Sequence, residues 1–261
     1  MKDRTLQILA ALIEDFVETA TPVASKRLLM GHKDFDVSSA TIRNEFAILE
    51  EIGLIESPHV SAGKIPTEKG YRFFVDELLQ DKSEEEMVTS LFQKRLTEYR
   101  LERTKESLFD ALRIVASLSG NVAFANIEND KTAYLGLSNV LRSPEFLKTP
   151  EKVAQIIEVL EGQEKLQSLL RSLEVEEEDS VKIFIGHENM LEEISSCTML
   201  VTRFSARGVH GHMGILGPIR MKYAFNRALL RNALEILEGF DKKKHDFFRK
   251  ISRFRRIQRT R

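Results

Sequence analysis

Ser38-Ser39-Ala40-Thr41-Ile42-Arg43-Asn44-Glu45, followed a few residues later by Gly53-Leu54-Ile55-Glu56, is the stretch on which the fold turns. Either serine can cap a helix by accepting a hydrogen bond from a first-turn amide that has no partner within the helix. Ile42, Phe46 and Leu49 then recur at helical spacing as a buried stripe. Ser39, Thr41, Arg43, Asn44 and Ala47 share the opposite face, and Gly53 stops the helix. Leu54-Ile55-Glu56 reads as a short strand and Ile65 as the start of its return. Pro58 to Gly63 make an exposed loop between them, with Gly63 supplying backbone freedom at its tip.

Working outward, Leu6, Leu9, Leu12, Ile13 and Phe16 mark a helix over residues 4–19. Thr21-Pro22 breaks it, and Thr21 can cap a short helix over 22–30 with Pro22 in its first turn. On the other side Thr67 caps a fourth helix carrying Tyr71, Phe74, Val75 and Leu78. Three helices and a two-stranded wing within 80 residues describe a winged helix-turn-helix. Such a unit puts the N-terminal end of its third helix into the DNA major groove and its wing on the backbone or minor groove. The residue types suit that task. Ser38, Ser39 and Thr41 are short donors for phosphate, Arg43 can bond guanine or phosphate, and Asn44 can bond adenine at two points. The first-turn amides add an anion site. His59, Ser61 and Lys64 fall where a wing meets phosphate. A face of Ser, Arg and Asn is also an ordinary solvated surface.

The formal charge of −1 conceals an asymmetry. Residues 1–80 hold 9 Lys and Arg against 13 Asp and Glu; residues 81–240 hold 20 against 25; residues 241–261 hold 10 against 2. Nucleic acid bound by the first 80 residues is therefore bound by a local arrangement of cations, not by bulk charge. The tail is the only strongly basic block. Phe247, Ile251 and Phe254 make it a candidate amphipathic helix for DNA, an acidic partner or an anionic surface, or else a solubilising end.

Gln80 to Glu86 is the first composition break. Beyond it the periodicity predicts one long helix over about 84–118, two strands within 121–138, helical segments from Thr149-Pro150 to Leu173, strands near 181–185, 198–204 and 209–217, and a helix over 220–239. The plan is α+β: a winged domain over 1–80, a linker helix over 81–118, an α+β domain over 119–240 and the tail over 241–261.

Other chemistry is poorly represented. One cysteine, Cys197, reads as a small core residue and allows no disulfide within the chain. His210 and His212 share one side of a strand, and a surface pair suits them better than a metal site, so no metal and no cofactor are expected. No catalytic constellation, phosphate loop or secretory segment stands out, and no apolar run nears the ~20 residues of a membrane span. The expectation is a cytoplasmic protein that is not an enzyme. Arg220 to Tyr223 could line a ligand pocket or form a packed joint between sheet and helix.

Several stretches resemble one family. Ser38 to Glu45 is similar to the Ser-Pro-Ala-Thr-Ile-Arg-Asn signature of the HrcA family, the heat-inducible bacterial repressors of chaperone operons. His59 to Arg72 resembles that family's wing and following helix, and Thr21 to Ser25 its Pro-Val-Gly-Ser turn. Pro144-Glu145-Phe146, Ile185 to Asn189 and Gly217 to Tyr223 continue the resemblance. It implies a winged DNA-binding domain, a GAF-like domain, a dimer on an inverted-repeat operator of double-stranded DNA, and control by chaperonin. Between Asn121 and Tyr134 there is no room for the long block the family carries there, so the GAF-like domain is expected in reduced form. The competing class is an interaction protein that binds a chaperone or another partner without repressing.

Overall fold

The computed structural model describes residues 3–32, 35, 37–59, 62–79, 82–98, 104–127, 132–147, 149–173, 181–206 and 209–237. The basic tail, residues 128–131 and the acidic stretch 174–180 lie outside them.

Helix α1 (Asp3–Thr19) buries Ile8, Leu9, Ala11, Leu12 and Ile13. It stops at Ala20, whose φ of 51° is left-handed. The next residues do not make the helix start that Thr21-Pro22 suggests. Val23 instead exchanges two backbone hydrogen bonds with Lys64, at 2.8 and 2.9 Å. Helix α2 (Ser25–Gly31) therefore begins later, from an extended Ala24 with no side-chain cap. Helix α3 (Ser39–Glu51) has Ser38 as its cap, the Oγ accepting from the Thr41 amide at 3.1 Å, and Ile42, Phe46 and Leu49 are buried as the stripe requires. Gly53, at φ 74°, ends it.

Strands β1 (Ile55–Glu56) and β2 (Ile65–Pro66) pair antiparallel, and the bridge to Val23 adds a third edge. Gly63 is required here for proximity. A Cβ on it would lie 2.5 Å from the Val23 carbonyl carbon, so a side chain would separate the hairpin from residues 22–23. Helix α4 (Glu68–Phe73) is capped by Thr67, which accepts from the Gly70 amide and donates to the Gly53 carbonyl. A π-helical turn, Phe74–Leu78, continues it.

The stretch expected as one long helix is two, α5 (Lys82–Glu98) and α6 (Thr104–Ser119), and they touch. Successive parts of a straight rod cannot touch, because the axis advances about 1.5 Å per residue. Five antiparallel strands follow: β3 (Val122–Ile127), β4 (Thr132–Leu135), β5 (Lys182–Ile185), β6 (Cys197–Ala206) and β7 (Val209–Pro218), in the order β4-β3-β7-β6-β5. Helices α7 (Leu137–Arg142), α8 (Pro150–Glu161) and α9 (Gln163–Ser172) separate β4 from β5, and α10 (223–237) ends the described chain.

Alternation along each strand sends side chains to opposite faces, and both faces are covered. Val122, Phe124, Met199, Val201 and Leu216 pack with Val153, Ile156 and Leu160 of α8. Ala123, Ala125, Leu200, Met213 and Ile215 face Leu112 of α6 and Leu230 and Leu234 of α10. That second core runs unbroken into Ile8, Leu12, Ile42 and Leu49 of the first three helices. The architecture is α+β, with the N-terminal helices joined to the sheet half through shared apolar packing.

Candidate nucleic-acid interface

Helix α3 presents Ala40, Arg43, Asn44, Ala47 and Ile48 outward. Its inner side is braced. Glu45, only 3% exposed, accepts from Arg4 at 2.8 Å and from the Thr5 hydroxyl at 2.8 Å. A carboxylate buried that deeply needs such partners, and they lock α3 against α1. Helical spacing already sets Glu45 beside the stripe, three residues after Ile42 and four before Leu49, but the sequence does not show which groups would answer its charge.

The expected contact residues divide into groups. Asn44 is exposed and has no side-chain hydrogen bond among the described residues. Arg43 is exposed, with one long contact from its Nε to the Ser25 hydroxyl at 3.4 Å. Ser38 and Thr41 serve the helix start, their hydroxyls 3.0 Å apart. Ser39 turns toward α2, its hydroxyl 3.0 Å from that of Ser25. His59 is exposed at the loop, and Ser61 lies outside the described residues.

Lys64 departs most from expectation. Its ammonium sits 2.5 Å from Glu50 Oε2 and 2.7 Å from the Ser57 hydroxyl, so it ties the hairpin to the end of α3. The hydrogen bond from Lys64 holds the Glu50 carboxyl below the usual carboxylate range, with help from Ser57. Two of the acidic groups on α3 are thereby answered internally, Glu45 by Arg4 and Glu50 by Lys64. Glu51, exposed at the C-terminal end of α3, has no such partner among the described residues.

Two residues on this side were not singled out from the sequence. Lys26 of α2 is exposed and has no partner among the described residues; its signal was the Lys26-Arg27 pair, of which Arg27 is occupied by Asp15. Ile48 is 45% exposed, one turn beyond Asn44.

The remaining motifs meet at the seam between the helical half and the sheet half. Arg72 of α4 bonds Glu188 through two nitrogens and reaches the Ile183 carbonyl at 2.7 Å on the edge strand β5. His187 lies 3.2 Å from Glu68. Arg220 pairs with Glu145 at 2.6 Å and donates to the Val17 carbonyl in the last turn of α1. Tyr71 and Tyr223 pack with ring centres 5.8 Å apart. Arg220 to Tyr223 thus forms a joint, with Met221 and Tyr223 buried. Cys197 is fully buried, and burial pushes its thiol up to about 12. His210 is exposed on β7, as a surface residue would be. Among the described residues no helix is long and apolar enough to cross a membrane.

A helix-flanked antiparallel sheet with an appended helical unit defines an α+β protein. The chain belongs to the HrcA family: the model described as HrcA protein C terminal domain matches residues 67–225. The family is one of transcription repressors and not of enzymes. Heat-inducible transcription repressor HrcA of Halalkalibacterium halodurans is 27% identical over 342 aligned positions, covering 93% of this chain and 96% of the relative. That alignment is longer than the chain's 261 residues, so the relative contains positions with no counterpart here. The protein of the same name from Pelotomaculum thermopropionicum is 29% identical over 325 positions, covering 86% and 92%. Among solved structures, the crystal structure of a hypothetical protein at 2.2 Å resolution superposes with a TM-score of 0.72 at 18% identity, over 92% of this chain and 98% of that one. The fold is therefore one already seen in a crystal.

Proposed function

We propose that this chain is a heat-inducible transcription repressor that binds an inverted-repeat operator in double-stranded DNA as a homodimer. Its relatives carry the repressor's name. In this reading residues 1–80 are a winged helix-turn-helix, 81–118 a helical linker, 119–240 a reduced GAF-like domain and 241–261 a basic appendage. The N-terminal end of α3 enters the major groove. The observation that carries the reading is the outer face of α3: an unpartnered Asn44 beside Arg43, flanked by Ala40 and Ala47, on a helix whose Glu45 and Glu50 are each paired with a cation.

Asn44 reads adenine, Arg43 guanine or phosphate, and Ile48 suits a thymine methyl. Ser38, Thr41 and the first-turn amides approach a phosphate, as do His59 and Ser61 from the loop and Lys26 from α2. Ser39 and Lys64 act at one remove, by holding α3 to α2 and the hairpin to α3. Control by chaperonin and a cytoplasmic setting follow from the family resemblance.

The deciding experiment compares the wild type with Asn44→Ala on the inverted repeat upstream of the chain's own gene and on a scrambled duplex, at one salt concentration. Asn44→Ala is expected to cost about 1–3 kcal/mol on the repeat and little on the scramble. Equal losses on both make Asn44 a backbone contact. A wild type that does not prefer the repeat favours the interaction-protein alternative.

A further inference from the structure

Helix α4 follows the hairpin directly, and one of its faces is spent on the sheet half. Glu68, Tyr71 and Arg72 stand at i, i+3 and i+4, the spacing that sets side chains on one side of a helix. All three reach across. Glu68 accepts from the His187 amide at 3.4 Å and lies 3.2 Å from Nδ1 of the His187 ring. Tyr71 packs against Tyr223. Arg72 bonds Glu188 through Nε at 2.9 Å and through a second nitrogen, and Nη2 donates to the Ile183 carbonyl at 2.7 Å.

Both partners of this tie are themselves held. Glu188 accepts from the Ile185 amide at 2.8 Å, and Arg72 also bonds Asp76 one turn along α4 at 3.2 Å. Gly186, at φ 59°, lets the receiving loop pass close to α4: a Cβ there would stand 2.3 Å from the Glu68 carboxyl carbon. The side chains of Arg72 and Glu188 are 30% and 41% exposed, and ion pairs so placed add little to stability. What the planar fork supplies is direction, because it meets a carboxylate at two points and a carbonyl at a third.

We propose that Arg72 is a specificity-determining, positioning residue: its ties to Glu188 and Ile183 set the half-site spacing that the dimer accepts. The inference rests on the reading of the chain as a dimeric operator-binding repressor. Two copies of α3 reach their half-sites together only if each hairpin unit is mounted at a fixed angle on the rest of its chain. Each added base pair turns one half-site about 35° relative to the other and moves it about 3.4 Å. A mount that holds its angle therefore rejects a wrong spacer, and a loose one tolerates it.

Binding titrations of the full chain use the inverted repeat upstream of its gene, the same repeat with its spacer changed by about two base pairs either way, a single half-site and a scrambled duplex. The wild type should lose about tenfold or more on either altered spacer. Arg72→Gln and Glu188→Gln, the latter keeping an acceptor for the Ile185 amide, should each bring the three spacers within about threefold of one another. Both should hold wild-type affinity for the single half-site, which reports a folded chain with α3 intact. The double variant should match either single one, because each removes the same tie. Arg72→Lys, which keeps the charge without the fork, should be relaxed as well. A spacer preference that survives Arg72→Gln overturns the proposal. So does an equal loss on the half-site and all three spacers, the mark of a merely structural role. Both of those results leave the operator reading standing. A wild type that binds the repeat no better than the scramble overturns that reading, and this inference with it.

Discussion

At Lys64 a single contact changes what a residue is expected to do. The ammonium is engaged by Glu50 and Ser57, so little positive charge is left to displace counterions from DNA. Lys64→Ala should lower the salt slope of DNA binding by well under the roughly one unit of a free phosphate-binding cation, whereas Lys26→Ala should lower it by about one. Binding titrations at several salt concentrations measure both. The same tie carries a pH signature. Because the Lys64 hydrogen bond holds the folded Glu50 carboxyl low, its contribution is present above the ordinary carboxylate value and is lost as pH falls through the lowered one. Amide resonances of Ser57 and Lys64 should shift in acid with a midpoint below that of an ordinary glutamate. Ala20 offers a test of backbone strain. It holds φ at 51° just past α1, where glycine pays no Cβ penalty, so Ala20→Gly should stabilise the fold by roughly 0.5–1 kcal/mol, seen as a higher urea midpoint. Residue types and helical spacing made the Ser38 cap and the Ile42 stripe legible. They could not reveal that Glu45 is held by Arg4 and Thr5 or that Lys64 is occupied, because both depend on partners brought close only by tertiary packing.

Among the elements, the hairpin is the most sensitive. Gly63 lies against the backbone of Pro22 and Val23, so Gly63→Ala must push β2 away from residues 22–23. Overpacking of that kind costs about 1–3 kcal/mol. Urea unfolding of the variant should show the loss, and operator affinity should fall with it if the loop contacts DNA. A sequence marks glycine as permissive but does not say whether dihedral freedom or proximity is being used; here it is proximity. The five strands were legible, since each alternates or runs apolar between turn residues. The division of 84–118 into α5 and α6 was not. Helical periodicity reports which side is buried, and Val88 and Phe92 enter the same core as Leu108 and Leu112, so the pattern carries across the break unchanged.

For the whole molecule, an inverted repeat demands two DNA-reading units related by a two-fold axis. Leu91 on α5 is 36% exposed and Phe109 on α6 is 47% exposed, leaving apolar surface on the pair of helices that follows the hairpin unit. Sedimentation at micromolar concentration should give a dimer with or without operator. The double change Leu91→Glu, Phe109→Glu should give a monomer with weakened operator binding; a wild type that sediments as a monomer in both conditions would sink the dimer. The apolar packing that joins the first three helices to the sheet has a consequence for anyone who would borrow this protein's parts. A fragment ending at residue 80 would bare the side of α1 that now meets the other half, so it should clump or stay molten and not serve as a portable reading head. Calorimetry of the intact chain should trace one endotherm, with equal calorimetric and van't Hoff enthalpies, because the first three helices and the sheet draw on one continuous apolar core and cannot melt apart.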